Sequence, residues 1–317
     1  MKYAIGVDLG GTHVAAAPVD ERGRVLNVHE RDLESHDVKY VITEVARVVT
    51  KAIDSLPKRT KVAGVGIGSP GNIDVASGTV RFSPNFDWRD VPLKEKLEKK
   101  LARPVRILND ARCATIGEFH HGVGKGARDF VLITIGTGIG GGIVANGKLV
   151  LGHAMGAGEI GHHVIRELTG FVCTCGKIGC FEAQASGTAL LRHALAIAPS
   201  FPRSTLLTGT PQVDWGSKMI SRAAAAGDQH AMATWHAWLR DLATGIANII
   251  AFVNPEIIAL GGGVGRTDDS LLATPLTRLV DEQTTMVPKH QTAIVRAKLG
   301  NNAGIVGAAS LVLHGIP

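Results

Sequence analysis

The chain has 317 residues, 45% of them hydrophobic and 20% charged, with 39 glycines. That composition excludes a disordered chain and marks a turn-rich α/β protein with room for two domains of about 150 residues, each with its own core. The net charge of +6 is scattered apart from short basic clusters at 58–61 and 94–100, and the second cluster lies in LKEKLEKKL, whose leucines recur at helical spacing, so it reads as a solvated helix face and no nucleic-acid partner is expected.

Strand character begins at Tyr3, and residues 3–28 read as two strands joined at Gly10-Gly11, with Pro18 predicting an edge or bulge. A charge arrives at Asp8, which leaves no room for a secretory apolar region, so a cytoplasmic chain is expected. A helix over 36–56, a strand over 61–68, a Gly- and Pro-rich loop, a helix over 92–102 and a strand over 105–108 follow. The strand-turn-strand design returns at 130–150, turning around Gly136 to Gly142. Helices are predicted from Gly187, over 217–226 and 229–253, then a strand over 256–260 ending in Gly261-Gly262-Gly263, and a last helix over 303–313. The long apolar runs at 131–144 and 242–260 are broken by glycines, polar residues or a proline, so no membrane partner is expected. The four tryptophans, Trp88, Trp215, Trp235 and Trp238, read as core residues.

The densest chemistry lies between Gly158 and Glu182. Cys173, Cys175 and Cys180, with His162 and His163 upstream, offer three sulfurs and one imidazole for a closed tetrahedral zinc site. Gly176 and Gly179 flank a tight knuckle that lets the thiolates converge, which free thiols or a disulfide would not require. A closed four-ligand site leaves no position for water, so the metal is structural. Glu159 and Glu182 flank the loop it would hold.

Glycine turns supply the second signal. Asp8-Leu9-Gly10-Gly11-Thr12 places a carboxylate at a strand end beside uncovered backbone amides, Thr137-Gly138 opens a second nest, and Gly261 to Gly263 let a flat ring or ribose approach closely. Three such loops suit a nucleotide triphosphate, although neither a Walker sequence nor a dinucleotide fingerprint is present. Asn109-Asp110 follows the strand VRIL and reads equally as a base at a strand's C-terminal end or as a helix cap before ARCATIGEF.

In order, DLGGT at 8–12, GSPGNID at 68–74, SPNF at 83–86, ND at 109–110, GTGIGGG at 136–142, GEIGH at 158–162, CTCGKIGCFE at 173–182 and LGGGV at 260–264 resemble the ROK family of repressors and sugar kinases, its ATP-dependent glucokinases most closely. The resemblance implies a two-lobed actin/hexokinase-like ATPase (ribonuclease H-like) fold with duplicated βββαβαβα-type domains and a structural zinc loop. A small lobe would span 1–112 and be joined by the C-terminal helix, about 303–317, while 113–302 would form a large lobe with the zinc loop and nucleotide site. It implies an enzyme that transfers the γ-phosphate of ATP to the 6-hydroxyl of glucose. Asp110 would be the catalytic base, Asn109, Glu159, His162 and Glu182 would bind sugar with Gly71 and Asn85 nearby, and Asp8 would position Mg²⁺. Gly10, Gly11, Thr12, Thr137 and Gly138 would line the phosphates.

Family members have nine residues between the GEIG histidine and the first zinc cysteine, whereas here ten follow His162 and nine follow His163. His162, directly after GEIG, is the expected ligand, with His163 as the alternative. His13 is given no role. Mannose, allose, fructose, glucosamine or an N-acetylhexosamine are alternative acceptors, polyphosphate is an alternative donor, and a non-enzymic sugar sensor is the alternative function. The family's repressors carry an N-terminal helix-turn-helix; with DLGGT at residue 8, no DNA reader is expected. The resemblance also implies a homodimer or homotetramer.

Overall fold

The computed structural model describes residues 2–316, the side chains of residues 207 and 208 excepted. Strands β1 (Tyr3–Leu9), β2 (His13–Asp20) and β3 (His29–Asp32) form an antiparallel meander, and Gly10 N donates to His13 O at 2.9 Å across the first turn. Pro18 sits beyond the reach of β3, which pairs only with His13 to Ala16, and its carbonyl accepts from Leu26 N, so its missing N–H costs no ladder bond. Helix α1 (Val38–Asp54) starts at Asp37, whose carboxylate accepts from Tyr40 N, and β4 (Val62–Ser69) returns parallel to β1. The stretch expected to be a loop contains three short strands, β5 (Asn72–Asp74), β6 (Thr79–Ser83) and β7 (Trp88–Val91), which make a small antiparallel sheet. Runs this short hold too few positions for alternation to register. Helix α2 (Leu93–Leu101) and β8 (Val105–Asn109) complete a sheet of order β3-β2-β1-β4-β8.

Helix α3 (Asp110–His121) leads to a second meander, β9 (Phe130–Ile135), β10 (Ile139–Ala145) and β11 (Lys148–Leu149). The turn is narrower than expected, because Gly140 to Gly142 run inside β10. A Cβ on Gly141 would fall 2.4 Å from both Leu132 O and Ile160 Cδ1, so glycine there serves close packing. After α4 (Phe181–Ala185), α5 (Gly187–Ile197), α6 (Thr205–Thr208), α7 (Ser217–Ala225) and α8 (Gln229–Val253) come β12 (Ile257–Gly261), α9 (Ala273–Gln283), β13 (Ala293–Arg296) and α10 (Ala303–Leu313). Asp228 caps α8 by accepting from Ala231 N, and left-handed Asn254 ends it. The second sheet has order β11-β10-β9-β12-β13, so both five-stranded sheets place two parallel strands beside the first strand of a meander.

One core packs β9, β10 and β12 against α5, α8 and α9 around Trp215, Trp235 and Trp238, and another packs β1, β4 and β8 against α1 and α2 around Trp88. Each indole N–H donates to a backbone carbonyl, as Trp238 does to Ser186 O at 3.0 Å, so all four tryptophans are core residues. Helices α3 and α10 lie between the sheets and meet backbone to backbone: a Cβ on Gly307 would fall 1.6 Å from Cys113 O, and one on Gly66 would fall 1.7 Å from Ala308 O. The boundary expected at residue 112 falls inside α3, and the outermost residues of the expected spans, 1 and 317, lie outside the described residues. Among the described residues, no helix is long and apolar enough to cross a membrane.

Candidate active site

Strand β8 ends at Asn109 and α3 begins at Asp110, so the two readings of this pair are compatible. Asn109 Oδ1 accepts from Arg112 N at 3.2 Å and caps the helix, while its Nδ2 donates to Gly71 O at 3.3 Å. Asp110 accepts from Ala111 N at 2.8 Å. Burial raises its carboxyl above the ordinary value and nearby Glu159 adds to this, against hydrogen bonds from backbone N–H groups and Asn109. Gly71 has φ of +110°, and a Cβ there would fall 2.3 Å from Phe82 O, so the carbonyl that receives Asn109 stands on a glycine-only turn.

Asp8, at the end of β1, lines with Asp110 a cavity of about 240 Å³ that also includes Thr134, Gly261 and Gly262. Burial, then the Asp110 charge, push the Asp8 carboxyl up from 3.8 to about 6, with His13 opposing. This folded value exceeds the unfolded one. The contribution of Asp8 to stability is therefore complete below about pH 4 and lost as pH rises through about 6. Asp8→Asn is expected to stabilise the metal-free fold at pH 8 by on the order of 3 kcal/mol and to leave it near wild type at pH 4, as read by denaturant melts at the two pH values.

Two of the three glycine turns are tied to their surroundings through polar groups. Gly11 O meets His36 Nε2 at 2.7 Å, and the side chain of Asn85 lies 3.7 Å from where a Cβ on Gly11 would stand. Asn85 therefore abuts the Gly10–Thr12 turn. Thr137 O accepts from Thr188 Oγ1 at 2.8 Å, Gly136 O accepts from Gly187 N at 2.8 Å, and Glu182 Oε2 accepts from Ile139 N at 3.0 Å. A Cβ on Gly138 would fall 2.3 Å from Glu182 Oε2, so any larger residue at 138 would displace this carboxylate from Ile139 N. Gly262, with φ of +79°, packs against the Ile135 carbonyl and leaves Gly263 open.

Glu182 also joins the turn to the cysteine segment, its Oε1 lying 3.5 Å from Thr174 Oγ1 and 3.8 Å from Cys173 Sγ. His162, in a single 3-10 turn Ile160–His162, presents a ring nitrogen to Cys173, Cys175 and Cys180, with all four donor atoms within 4.8 Å of one another. His162 Nδ1 is 3.7 Å from Cys173 Sγ, and Cys175 Sγ is 3.6 Å from Cys180 Sγ. These separations and this donor set fit a tetrahedral zinc ion. Burial and the neighbouring sulfurs push Cys180 up to about 12, which disfavours a thiolate there unless a cation is at hand. His163 points elsewhere: its Nδ1 meets Ile160 O at 2.6 Å and its ring packs on Phe181.

Two buried ionic groups were missed by sequence reasoning. Arg112, one residue beyond Ala111, lies buried beside Glu159 at 3.4 Å. Asp241 on α8 accepts from Arg166 Nε at 2.6 Å and faces His193 at 3.2 Å, which anchors the segment before the cysteines to α5 and α8. No local spacing in the sequence marks either, and only the register of distant segments pairs them.

The ROK family model matches residues 4–314. The chain belongs to the ROK family. ROK relatives include the glucokinase of Streptomyces coelicolor, 38% identical over 98% of each chain, and the glucokinase of Thermotoga maritima, 38% identical over 97% of this chain and 96% of that one. Among solved ROK structures, a glucokinase from Streptomyces griseus in complex with glucose and AMPPNP is 36% identical, with a TM-score of 0.84 over 99% of this chain and 100% of that one. The mixed α/β fold is that of ROK sugar kinases.

Proposed function

We propose that the chain is an ATP-dependent glucokinase, transferring the γ-phosphate of ATP to the 6-hydroxyl of glucose to give glucose 6-phosphate and ADP. The observation that carries this reading is the buried Asp110 carboxylate at a strand end, beside Asn109 and sharing a cavity with Asp8, in a chain 36–38% identical to glucokinases over nearly its full length. Asp110 takes the proton of the 6-hydroxyl as its oxygen bonds to the γ-phosphorus and the bond to ADP breaks. The backbone amides of Gly11, Thr12, Thr137 and Gly138 receive the phosphates, Gly10, whose N–H is taken by His13 O, shapes the first turn beside them, and Gly261 to Gly263 receive the adenosine. Mg²⁺, for which the buried Asp8 carboxylate offers anionic charge, supplies neutralisation of the phosphate oxygens.

The sugar lies against Asn109, Glu159, His162 and Glu182, with Gly71 and Asn85 adjacent. Glu182 has Oε2 taken by Ile139 N, and a sugar hydroxyl would meet Oε1 in place of, or beside, its long contacts to Thr174 and Cys173. A zinc ion held by His162, Cys173, Cys175 and Cys180 supplies a fixed node for the segment that carries Glu159. Residues 1–112 with the C-terminal helix, and residues 113–302, act as two lobes of duplicated design that close over the sugar, and the common strand order of the two sheets supports this. The enzyme works in the cytoplasm, where its cysteines stay reduced.

The test is ATP-dependent turnover with Mg²⁺ across glucose, mannose, allose, fructose, glucosamine and N-acetylmannosamine. Glucose is expected to have the highest kcat/KM, by about tenfold, because a buried acceptor left unmet by the wrong epimer costs roughly 1–3 kcal/mol. A higher kcat/KM with another hexose would replace the substrate, and saturable glucose binding without turnover would make the chain a sensor.

A further inference from the structure

Arg112 is 2% exposed, and its guanidinium reaches away from α3 to the segment that precedes the zinc loop. Nη1 donates to Met155 O at 2.7 Å and Nη2 lies 3.4 Å from Glu159 Oε1, while Nε is buried without a partner. Met155 has φ of +56°, in the left-handed region that side chains other than glycine rarely adopt, so its backbone needs an external hold. Glu159 follows Gly158, which has φ of +87°, and the Glu159 side chain is 54% exposed, so little else fixes the direction of its carboxylate.

We propose that Arg112 is a positioning residue for sugar recognition, latching residues 155–159 onto α3 so that Glu159 and Asp110 face the same sugar. This rests on the glucokinase reading. The latch follows from the cost of burying a guanidinium: beyond the Asp110 carboxylate on its own helix, its charge is compensated by the Met155 carbonyl and the Glu159 carboxylate only while the segment lies down on α3. The planar fork holds two acceptors at once, one fixing the strained backbone and the other the carboxylate. A lysine, with a compact point charge, cannot do both. Asp110 therefore begins a helix whose third residue sets the opposing sugar ligand.

The test compares Arg112→Met and Arg112→Lys with wild type for glucose KM, ATP KM, kcat, melting temperature and amide exchange. In both variants glucose KM is expected to rise about tenfold or more, with ATP KM changed less than about twofold. Exchange over residues 152–159 should quicken while α8 stays protected. Combined with Glu159→Gln, Arg112→Met should raise glucose KM little beyond the larger single effect, since both substitutions break one contact. A lowered melting temperature with unchanged glucose KM and unchanged exchange over 152–159 would make Arg112 a fold-stabilising residue only and overturn the proposal. Arg112→Lys carries the comparison if Arg112→Met does not fold. Absence of glucose turnover in wild type would strike the glucokinase reading instead, and the exchange measurement would still decide whether the latch exists.

Discussion

Asp110→Asn is expected to lower kcat for glucose phosphorylation by about 10³-fold, within the range that a positioned general base contributes. The substitution is chosen because asparagine keeps the shape and the oxygen that accepts from Ala111 N, so α3 should start as before. What disappears is the capacity to take the proton of the attacking hydroxyl. Glucose affinity by calorimetry should stay within a few-fold of wild type, because Asn109, Glu159 and Glu182 remain. In wild type, kcat/KM should fall as pH drops through about 6, where Asp8 gains its proton; burial raises the Asp110 carboxyl in the same direction. A kcat for Asp110→Asn within about tenfold of wild type would remove Asp110 from the role of base.

Stripping the metal is the second large perturbation. The purified chain should hold about one zinc per molecule. Its removal by a chelator, or loss of a ligand in Cys180→Ser, should lower the melting temperature by roughly 6 °C, the equivalent of about 4 kcal/mol for a site filled at a thousand times its Kd in a chain of this size. Glucose KM should rise about tenfold while ATP KM moves little, because the ligand His162 closes the 3-10 turn that follows Glu159 and its N–H donates to Glu159 O at 3.1 Å. The segment should not collapse entirely, since the Arg166–Asp241 pair still fastens it to α8. Full activity in a zinc-free sample, checked by metal analysis of the assayed fraction, would contradict this account.

Long periodic segments were the most legible parts of the fold. Helices α8 and α10 stand where helical periodicity and flanking asparagine and aspartate residues put them. The small sheet β5-β6-β7 was hidden because its strands are a few residues long and separated by turn chemistry, and α9 and β13 lie in a polar stretch where no single pattern dominates. In the site, the cysteines, the glycine turns and Asn109-Asp110 could be read because each is local in sequence. Glu182 bonding to Ile139 N and Arg112 to Met155 O join residues 43 apart in each case, and no local spacing encodes such a pairing. Of the two histidines, His162 lies with the sulfurs while the His163 ring meets Ile160 O, which favours His162 as the ligand.

The glycine contacts among α3, α10 and β4 bear on motion as much as on packing. Helices that meet through interdigitated side chains resist rotation like meshed gears, since every displacement must lift knobs out of holes. At Gly66 and Gly307 the surfaces in contact are main-chain atoms without knobs. At those two points the joint has no teeth, and the proposed lobe closure would meet resistance chiefly from the side chains packed around Cys113, Ile116, Ala308 and Leu311. A methyl group at Gly307, falling 1.6 Å from Cys113 O, would push α3 away from α10 and carry Asp110, at the start of α3, with it.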